Sequence, residues 1–429
     1  MLRFFAQLAI CFWYGLRYLG GRIALIFVRD PETKRARLAR LRGRTARLAM
    51  TRLGATFIKL GQVMSTRRDL FEPEMIDELR QLQDELPAFE TSAVRAIVRE
   101  DLGKDLEEAF DEFDPAPVAA ASVAQVHRAM CRGREVAVKV LRPDVRANVM
   151  RDAVLLRAGA RMASWHPKLR LSDPVGHLAH FIQGILDQTD LRLEAENNRA
   201  FRENFASLDW IVFPELVDEL CSERVLTMDY LPGEKVDELP EGDHTLLADR
   251  LAHCFLKMCF EDGFLHADLH PGNFSVLPDS HVAVYDLGLA KRLPDDLLEE
   301  FIDFSRCMAM GTAEDMTQHM RRFHTYMDGV DWDAMEKDMA ALVQKFRGQT
   351  KGELEMGEMF DEMFALGRKY RVQPRTELTL IIVGMITAEG VGKMLDPDVD
   401  TFDQVAKFLM PIVAKRAAAR RAQSSPTAP

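Results

Sequence analysis

The six cysteines of this 429-residue chain include no C-x-x-C pair and no spacing typical of a metal-binding module. They occur singly, at positions 11, 131, 221, 254, 259 and 307. This pattern argues against a small scaffold held together by disulfides and gives no support to a zinc finger. We expect packing roles for these side chains and a reducing, cytoplasmic environment.

The chain also lacks a long uninterrupted apolar run. A helix needs about 20 apolar residues to cross a bilayer, and the segment Leu378–Ala388 has only about half of that length, so we expect a buried helix there. The first 28 residues are rich in Phe, Leu, Ile and Trp, but arginines at 3, 17, 22 and 29 interrupt them. No A-x-A-like cleavage site follows, so neither a signal peptide nor a membrane-spanning helix is predicted there.

Charge is distributed unevenly along the chain. Residues 1–52 hold 12 Lys or Arg and two acids, a balance of +10, which leaves 44 basic and 65 acidic residues, or −21, elsewhere. Apolar residues with interspersed arginines are typical of an interfacial membrane helix. They fit equally well a helix docked on the protein's own body, and both interpretations stay open here. The acidic body argues against a nucleic-acid-binding face.

Composition indicates a globular protein, because 47% of the residues are apolar and 29% are charged. The length suits one two-lobed unit or two domains. Residues 51–110 and 145–208 follow helical patterns, and residues 117–142 are strand-like. The chain after residue 243 is mostly helical and ends in a low-complexity tail, for which we expect disorder.

The strongest functional signal is HADLHPGN at 266–273, followed by YDLG at 285–288. Two short apolar runs separate Asn273 from Asp286 and predict a β-hairpin that brings both side chains, and Asp268, to one end. A carboxylate that orients a hydroxyl, with an amide and a second carboxylate for a divalent metal, is what phosphoryl transfer requires. The order and spacing match the protein-kinase signature, with Ala for Arg and Leu for Phe. A plain polar turn would not explain both spacings.

A second set of residues precedes this motif. The small-residue stretch Ala119, Ala120, Ala121 and Ser122 leads through a hairpin into a strand, VAVK, that ends at Lys139. The arrangement is like the phosphate-covering loop and phosphate-binding lysine of kinases. Small side chains let backbone amides approach a phosphate, although Ala cannot adopt the φ > 0 conformations open to Gly.

A kinase-like site also needs a helix carboxylate that pairs with the strand lysine. Glu194 is our candidate, and Asp190 lies one helical turn earlier on the same face. An ordinary solvated Glu194 is the alternative that the sequence leaves open.

Two further strands are predicted at Trp210–Val217 and Arg224–Tyr230. The second leads into a hinge beginning at Leu231, where backbone groups would meet an adenine ring. We predict that Asp229 and Leu231 contact the nucleotide.

Lys59, Gly61 and Gln62 form a K-x-G-Q motif within the first predicted helical region. Taken alone it is a weak signal, because a glycine in a helix commonly marks close packing.

In order along the chain, the motifs are KLGQ, AAAS, VAVK, DLRLEA, HADLHPGN and DLG. In this combination, over roughly residues 50–400, the chain resembles the UbiB (AarF-domain) family of atypical kinase-like proteins. The resemblance implies an α+β fold, protein-kinase-like and two-lobed, with an N-terminal helical extension and a mostly helical C-lobe. It implies ATP or ADP as the nucleotide, Mg²⁺ or Mn²⁺ as the metal, and ATPase more than protein-kinase activity.

The resemblance also assigns roles to residues. It implies that Ala119–Ser122 forms the phosphate-covering loop and that Lys139 pairs with Glu194. It also implies Asp268 as the catalytic acid/base and Asn273 and Asp286 as the metal ligands. In the family the K-x-G-Q helix folds over the active site, so Lys59, Gly61, Gln62 and Asp190 are predicted to be regulatory. Expected partners are a lipid or quinone precursor, a peripheral membrane surface and proteins of ubiquinone or other isoprenoid-quinone biosynthesis.

Two departures from the family pattern are visible. Gln188 stands where the family usually has the Glu of Glu-x-Asp, which removes one acidic partner from the K-x-G-Q region. Many bacterial members also end in two transmembrane helices, for which this chain shows no clear signal, so we expect any membrane contact to come from the N-terminal region.

Two alternative functions remain. A small-molecule kinase of the aminoglycoside-phosphotransferase type shares the H-x-D, N and D layout, but the K-x-G-Q extension and the Ala-rich loop argue against it. A catalytically silent nucleotide-binding scaffold is the other, and the retained polar positions argue against complete silence.

The sequence predicts five regions in order along the chain. We expect a basic N-terminal region at 1–50, a helical extension at 51–110, and an N-lobe at 111–231 with a helical insert at about 145–208. A C-lobe at 232–412 and a disordered tail at 413–429 are predicted to follow.

Overall fold

The computed structural model of the chain describes residues 2–67, 70–82, 87–165, 173–240, 242–267, 269, 271–326, 328–347 and 355–424. The chain divides into two compact units. Unit 1 comprises Met1–Arg199 and Pro214–Tyr230, and unit 2 comprises Ala200–Phe213 and Leu231–Pro429. Both contain helices and small sheets, so the predicted α+β class is confirmed.

The described part of unit 1 begins with six helices. They are α1 (Leu2–Ala24), α2 (Pro31–Leu53), α3 (Ala55–Thr66), α4 (Pro73–Leu79), α5 (Thr91–Leu102) and α6 (Leu106–Ala109). Local signals explain their ends. The Asp30 side chain accepts a hydrogen bond from the Thr33 amide at 2.7 Å and caps α2, which starts with a proline. Gly54, at φ +106°, separates α2 from α3.

The sheet of unit 1 follows. Its strands are β1 (Glu112–Ala120), β2 (Ala124–Cys131), β3 (Arg134–Leu141) and, after β4 (Ile211–Val212) of unit 2, β5 (Val225–Asp229). The order is β1-β2-β3-β5, antiparallel throughout. Because side chains alternate along β3, Val136, Val138 and Val140 join the core formed with α5 and α6. Lys139 therefore points to the opposite face.

The predicted helical stretch 145–208 consists of three helices in the described residues. These are α7 (Val145–Ser164), α8 (Pro174–Asp187) and α9 (Leu191–Asn204). Leu191 and Ala195 of α9 pack with Ala137 on the sheet face away from α5. This helix therefore covers the face toward which Lys139 points.

The predicted strand Trp210–Val217 is wrong in extent. Only Ile211–Val212 forms a strand, and it pairs in parallel with a strand of unit 2. Leu216 instead makes an isolated bridge with Met228 in unit 1. Pro214 lies between the strand Ile211–Val212 and Leu216, and proline has no amide hydrogen to donate to a strand ladder. The chain also passes from unit 2 to unit 1 at this residue.

Unit 2 contains the remaining elements. Its strands are β6 (Glu234–Lys235), β7 (Phe264–His266), β8 (Phe274–Leu277), β9 (His281–Val284), β10 (Ala290–Arg292), β11 (Thr325–Tyr326) and β12 (Val372–Gln373). Its helices are α10 (Thr245–Phe260), α11 (Asp295–Met310), α12 (Ala313–Phe323), α13 (Trp332–Arg347), α14 (Met356–Tyr370), α15 (Thr376–Leu395) and α16 (Thr401–Ser424). The sheet order is β4-β9-β8-β6, and β7 pairs with β10. Helix α10 is buried on all sides over Cys254–Phe260 and forms the centre of the core.

The C-terminal helices correct two expectations. Among the residues that the structure describes, one helix, Glu377–Leu395, is long and apolar enough to cross a bilayer by length and composition, and 53% of its most apolar window is buried. The helix is longer than the predicted segment Leu378–Ala388, because it continues past Glu389 to Leu395. Helix α16 continues to Ser424, so the expected disorder is wrong for residues 413–424, where Ala and Arg favour a helix. Residues 425–429 lie outside the described part.

Candidate functional site

Lys139 and Glu194 form a buried ion pair within unit 1. The Nζ atom of Lys139 lies 2.8 Å from both carboxylate oxygens of Glu194. Both residues are less than 10% exposed. The structure thus resolves the alternative between a solvated and a paired Glu194, although the catalytic role of the pair stays a prediction. An ion pair of this type holds the ammonium group in one place, as binding to phosphate oxygens requires.

Asp190 caps the same helix. Its carboxylate accepts hydrogen bonds from the Arg192 amide at 3.1 Å and from the Arg192 guanidinium at 2.7 Å. The side-chain bond from Arg192 is the main reason that the pKa of Asp190 is lowered. These contacts give Asp190 a role in starting α9, and its regulatory role stays a prediction.

The Ala-rich segment is half strand and half turn. Ala119 and Ala120 belong to β1, whereas Ala121 and Ser122 lie in the turn to β2, so the expected loop is shorter than predicted. The Ala121 amide donates to the Ala124 carbonyl at 2.9 Å, which closes the hairpin. That amide is therefore used within the protein and is not free to bind a phosphate.

Arg142 fixes this turn and was not identified from the sequence. Its Nε donates to the Ala121 carbonyl at 2.7 Å, and its amide donates to the Val123 carbonyl at 2.8 Å. A second guanidinium nitrogen reaches the Pro87 carbonyl at 3.0 Å. Its position three residues after Lys139 was the available signal.

The K-x-G-Q helix α3 borders the same turn. Lys59 and Ser122 both line an open cleft of about 130 Å³. Gly61 is buried, and a Cβ atom there would lie 2.2 Å from Cδ1 of Leu82. Gln62 donates to the Leu82 carbonyl at 3.4 Å. Gly61 and Gln62 thus pack α3 against the segment that follows α4, while Lys59 faces the cleft.

A buried carboxylate holds α3 in place. Asp152 of α7 is fully buried and accepts hydrogen bonds from Thr56 of α3 at 2.8 Å and from Gln7 of α1 at 2.7 Å. The sequence signal was an acid on the otherwise apolar face of α7, beside Val149 and Ala153. The N-terminal helix is therefore docked on the protein's own body.

The β8–β9 hairpin brings the predicted metal ligands together in unit 2. Phe274 pairs with Val284, and the Tyr285 amide donates to the Asn273 carbonyl at 2.9 Å. Asn273 and Asp286 therefore lie at the same end of the hairpin. Amide and carboxylate oxygens are ligands that Mg²⁺ prefers, so the residues present fit a divalent ion. Asp286 is exposed and has φ +50°, a conformation that Asp tolerates better than most residues.

Asp268, the predicted acid/base, lies outside the described residues. Its neighbours in the chain are held on the hairpin side. The Ala267 amide donates to the Leu289 carbonyl at 2.8 Å, and Nε2 of His266 donates to the Tyr285 carbonyl at 3.3 Å. The segment before Asp268 is thus tied to the segment that carries Asp286.

The predicted hinge residues make contacts of their own. The carboxylate of Asp229 lies 3.6 Å from the guanidinium of Arg134 in unit 1. In unit 2, the Tyr285 hydroxyl donates to the Leu231 carbonyl at 2.7 Å. Gly233 lies so close to β8 that a Cβ atom would be 2.7 Å from Cβ of Ser275. The nucleotide contacts of Asp229 and Leu231 stay predictions.

Two family models match the chain. The model of the ABC1 atypical kinase-like domain matches residues 81–320, and that of the UbiB helical domain matches residues 339–400. A protein from Glaesserella parasuis named Probable protein kinase UbiB is 33% identical over 91% of this chain and 73% of its own length. One of the same name from Vibrio cholerae is 32% identical over the same shares.

A solved structure shares the fold. The complex of Rv3197 with erythromycin from Mycobacterium tuberculosis aligns with a TM-score of 0.51 and 22% identity, covering 82% of this chain and 90% of that one. At this identity the likeness concerns the fold alone. Together with the family models, it confirms the predicted kinase-like fold.

Proposed function

Because the chain belongs to the UbiB family of ABC1 atypical kinase-like proteins, we propose that it binds MgATP and hydrolyses its γ-phosphate or transfers it to an acceptor. The observation that carries this proposal is the buried pair of Lys139 and Glu194. A lysine held by a carboxylate on a covering helix is what a kinase-like protein uses to position phosphates.

The other residues take roles that their chemistry allows. Asn273 and Asp286 would hold Mg²⁺, which neutralises phosphate charge when it is bound. Asp268 would orient the attacking hydroxyl or water and accept its proton. Backbone groups near Leu231 would contact the base of the nucleotide.

We expect slow hydrolysis of ATP rather than fast phosphorylation of proteins, because of the structure of the Ala-rich turn. Since the Ala121 amide closes the hairpin and Arg142 fixes its carbonyl, the turn offers fewer donors to a γ-phosphate than a glycine loop does. We further propose that this activity supports ubiquinone or other isoprenoid-quinone biosynthesis, as the family resemblance implies.

We also propose that helix α1 contacts a membrane surface with the face that is not docked. Apolar side chains recur there at helical spacing and are exposed to solvent, at Phe5, Leu8, Phe12, Leu16, Leu19 and Ile23. The other face carries Gln7, bonded to Asp152, and Gly21, where an added Cβ atom would lie 2.8 Å from Cδ1 of Leu41. Docking and an interfacial role thus use opposite faces of one helix.

The nucleotide proposal is tested with two substitutions that separate binding from turnover. Asp286→Asn should abolish Mg²⁺-dependent nucleotide binding, because the metal loses a charged ligand. Asp268→Asn should leave binding largely intact and lower ATP hydrolysis by a factor on the order of 10² or more. Affinity is measured by calorimetry with and without Mg²⁺, and turnover by phosphate release.

Asp279→Asn is the matched control for these variants. Asp279 is also exposed and at positive φ (+58°), but it lies at the opposite end of the same hairpin. Unchanged affinity in the Asp286 variant would refute the metal assignment. Equal loss of affinity in the Asp279 variant would point to a disturbed hairpin instead.

A further inference from the structure

Helices α11 and α12 bring one carboxylate and two imidazoles together in unit 2, outside the nucleotide residues described above. Glu300 is completely buried, His319 is 2% exposed, and His324, at the end of α12, is half-buried. One potential ligand atom from each of the three lies within 4.8 Å of the others. A carboxylate with two imidazoles is a donor set typical of zinc-class metals.

Each of the three residues has a buried atom without a hydrogen-bond partner among the described residues. These atoms are Oε1 of Glu300, Nε2 of His319 and Nδ1 of His324. A buried polar atom left unpaired costs about 1–3 kcal/mol. Three in one cluster therefore require a common explanation.

The surroundings orient two of these groups. Nδ1 of His319 donates to Asp303 at 3.2 Å, which leaves the lone pair on Nε2. Asp303 is in turn held by Arg306 at 3.0 Å. The second oxygen of Glu300 lies 3.4 Å from Arg375, which also pairs with Asp296 at 2.8 Å.

Burial favours the uncharged form of all three side chains. Desolvation raises the pKa of Glu300 to about 7 and lowers that of His324 to about 3. It also lowers the pKa of His319, whose ring lies 5.5 Å from Phe304 and 4.9 Å from Phe323. The imidazoles are thus neutral, as metal ligation requires, whereas Glu300 has to release a proton when an ion binds.

We propose that Glu300, His319 and His324 form a binding site for one divalent ion of the zinc class. Zinc ligands lie at about 2.0–2.2 Å, so ligand atoms around a tetrahedral ion are about 3.4 Å apart. In the structure the corresponding atoms lie within 4.8 Å of one another, so binding of the ion would draw the three side chains closer together. Three protein ligands leave the fourth position to water. The two nitrogen donors disfavour Mg²⁺, which prefers oxygen ligands.

The test uses the full-length, tag-free protein, freed of metal with a chelator. Calorimetry with Zn²⁺ should find one tight site, and Co²⁺ should give the visible absorption of a tetrahedral complex. Glu300→Gln and His324→Gln should each lower Zn²⁺ affinity by at least about 10-fold. Zn²⁺ should raise the melting temperature of the unaltered protein and not that of these variants.

Two control variants locate the site. Glu299→Gln changes the exposed neighbour of Glu300 and should leave the affinity for Zn²⁺ unchanged. Asp286→Asn should retain Zn²⁺ binding, because Asp286 is a proposed ligand of the nucleotide-bound Mg²⁺ and is not part of the Glu300 cluster. The proposal is overturned if the unaltered protein binds no Zn²⁺ at a single saturable site. It is also overturned if Glu300→Gln and His324→Gln bind as tightly as the unaltered protein, or if only the Asp286 variant loses binding.

Discussion

Lys139 and Glu194 show at the scale of single residues why a buried ion pair is retained. Their side chains are only 11% and 6% exposed, so each charge has lost most of its hydration. Removing one partner of such a pair leaves the other charge buried and costs about 3–5 kcal/mol. Substitution of either residue alone is therefore expected to destabilise the protein, and the intact pair fixes the position of the Lys139 ammonium group.

We expect Glu194→Gln to be destabilising and to impair nucleotide turnover. The free energy of unfolding should fall by about 3 kcal/mol, and ATP hydrolysis by at least about 10-fold, because Lys139 loses its fixed position. Glu196→Gln, on the exposed side of the same helix, is the matched control and should change neither quantity. Denaturant unfolding and phosphate release measure the two effects. Normal turnover in the Glu194 variant would contradict the role of the pair.

Asp101 and Arg224 join α5 to the start of β5. Burial alone would raise the pKa of Asp101, but hydrogen bonds from Arg224 and Ser222 more than offset this and hold the pKa below its usual value. A lowered pKa in the folded state stabilises the protein above the unfolded-state pKa of about 3.9. That contribution is lost as the pH falls through the lower, folded-state value.

We therefore predict that Asp101→Asn lowers the free energy of unfolding by about 1–3 kcal/mol at neutral pH. The difference from the unaltered protein should shrink as the pH falls below about 4. Glu100→Gln removes a more exposed carboxylate that also pairs with Arg224 at 2.9 Å, and it should cost less than about 1 kcal/mol. Denaturant unfolding over a pH series measures this. A pH-independent difference would mean that lost packing, not charge, causes the effect.

At the scale of elements, α3 and the β1–β2 turn are each held by several contacts. Thr56 anchors α3 to Asp152, and Arg142 fixes the turn at two carbonyls. Lys59 and Ser122 line the cleft that both elements border. These contacts support the prediction that the two elements restrain activity, because a stiff turn cannot converge all its amides on a phosphate.

We predict that Ala120→Gly and Lys59→Ala each increase autophosphorylation and shift the ratio of ATP to ADP affinity. Glycine at position 120 would make the end of β1 more flexible. Removal of the Lys59 ammonium group would weaken the charge-assisted hydrogen bonds that we expect to keep α3 beside the cleft. Ala116→Gly, at an exposed position earlier in the same strand, is the control for β1. If neither variant changes activity while circular dichroism shows an intact fold, the two motifs serve packing alone.

At the scale of the whole molecule, charge and exposed apolar surface coincide in the N-terminal region. The excess of ten positive charges in residues 1–52 contrasts with −21 in the remainder. The exposed stripe of α1 includes Phe12, 70% exposed, and Ile23, 61% exposed. Basic residues near an anionic membrane contribute about 1 kcal/mol each, and buried apolar side chains add to this.

We predict reversible binding to anionic liposomes through α1. Phe12→Ser combined with Ile23→Ser should abolish co-sedimentation, and added salt should weaken it for the unaltered protein. Substitution is preferable to deletion, because removing α1 would also break the Gln7 bond to the buried Asp152. Cys11→Ser, exposed but outside the stripe, should sediment normally. Equal sedimentation of the double variant would refute a role for α1.

The sequence by itself determined the features that depend on short-range spacing. Alternation along β3 placed Lys139 on the face opposite Val138, and the short hairpin brought Asn273 and Asp286 to one end, because strand register is local. The combined motifs also identified the family correctly. These inferences needed no knowledge of which distant segments meet.

Only the tertiary structure decided which distant groups meet. It selected Glu194 for Lys139, placed Arg142 on the Ala-rich turn, and divided the predicted strand at Pro214 between two units. It also brought Glu300 to His319 and His324, residues whose spacing resembles no metal motif. Each of these contacts depends on how helices and strands pack, and packing is set by long-range burial of apolar surface, which local sequence patterns do not specify.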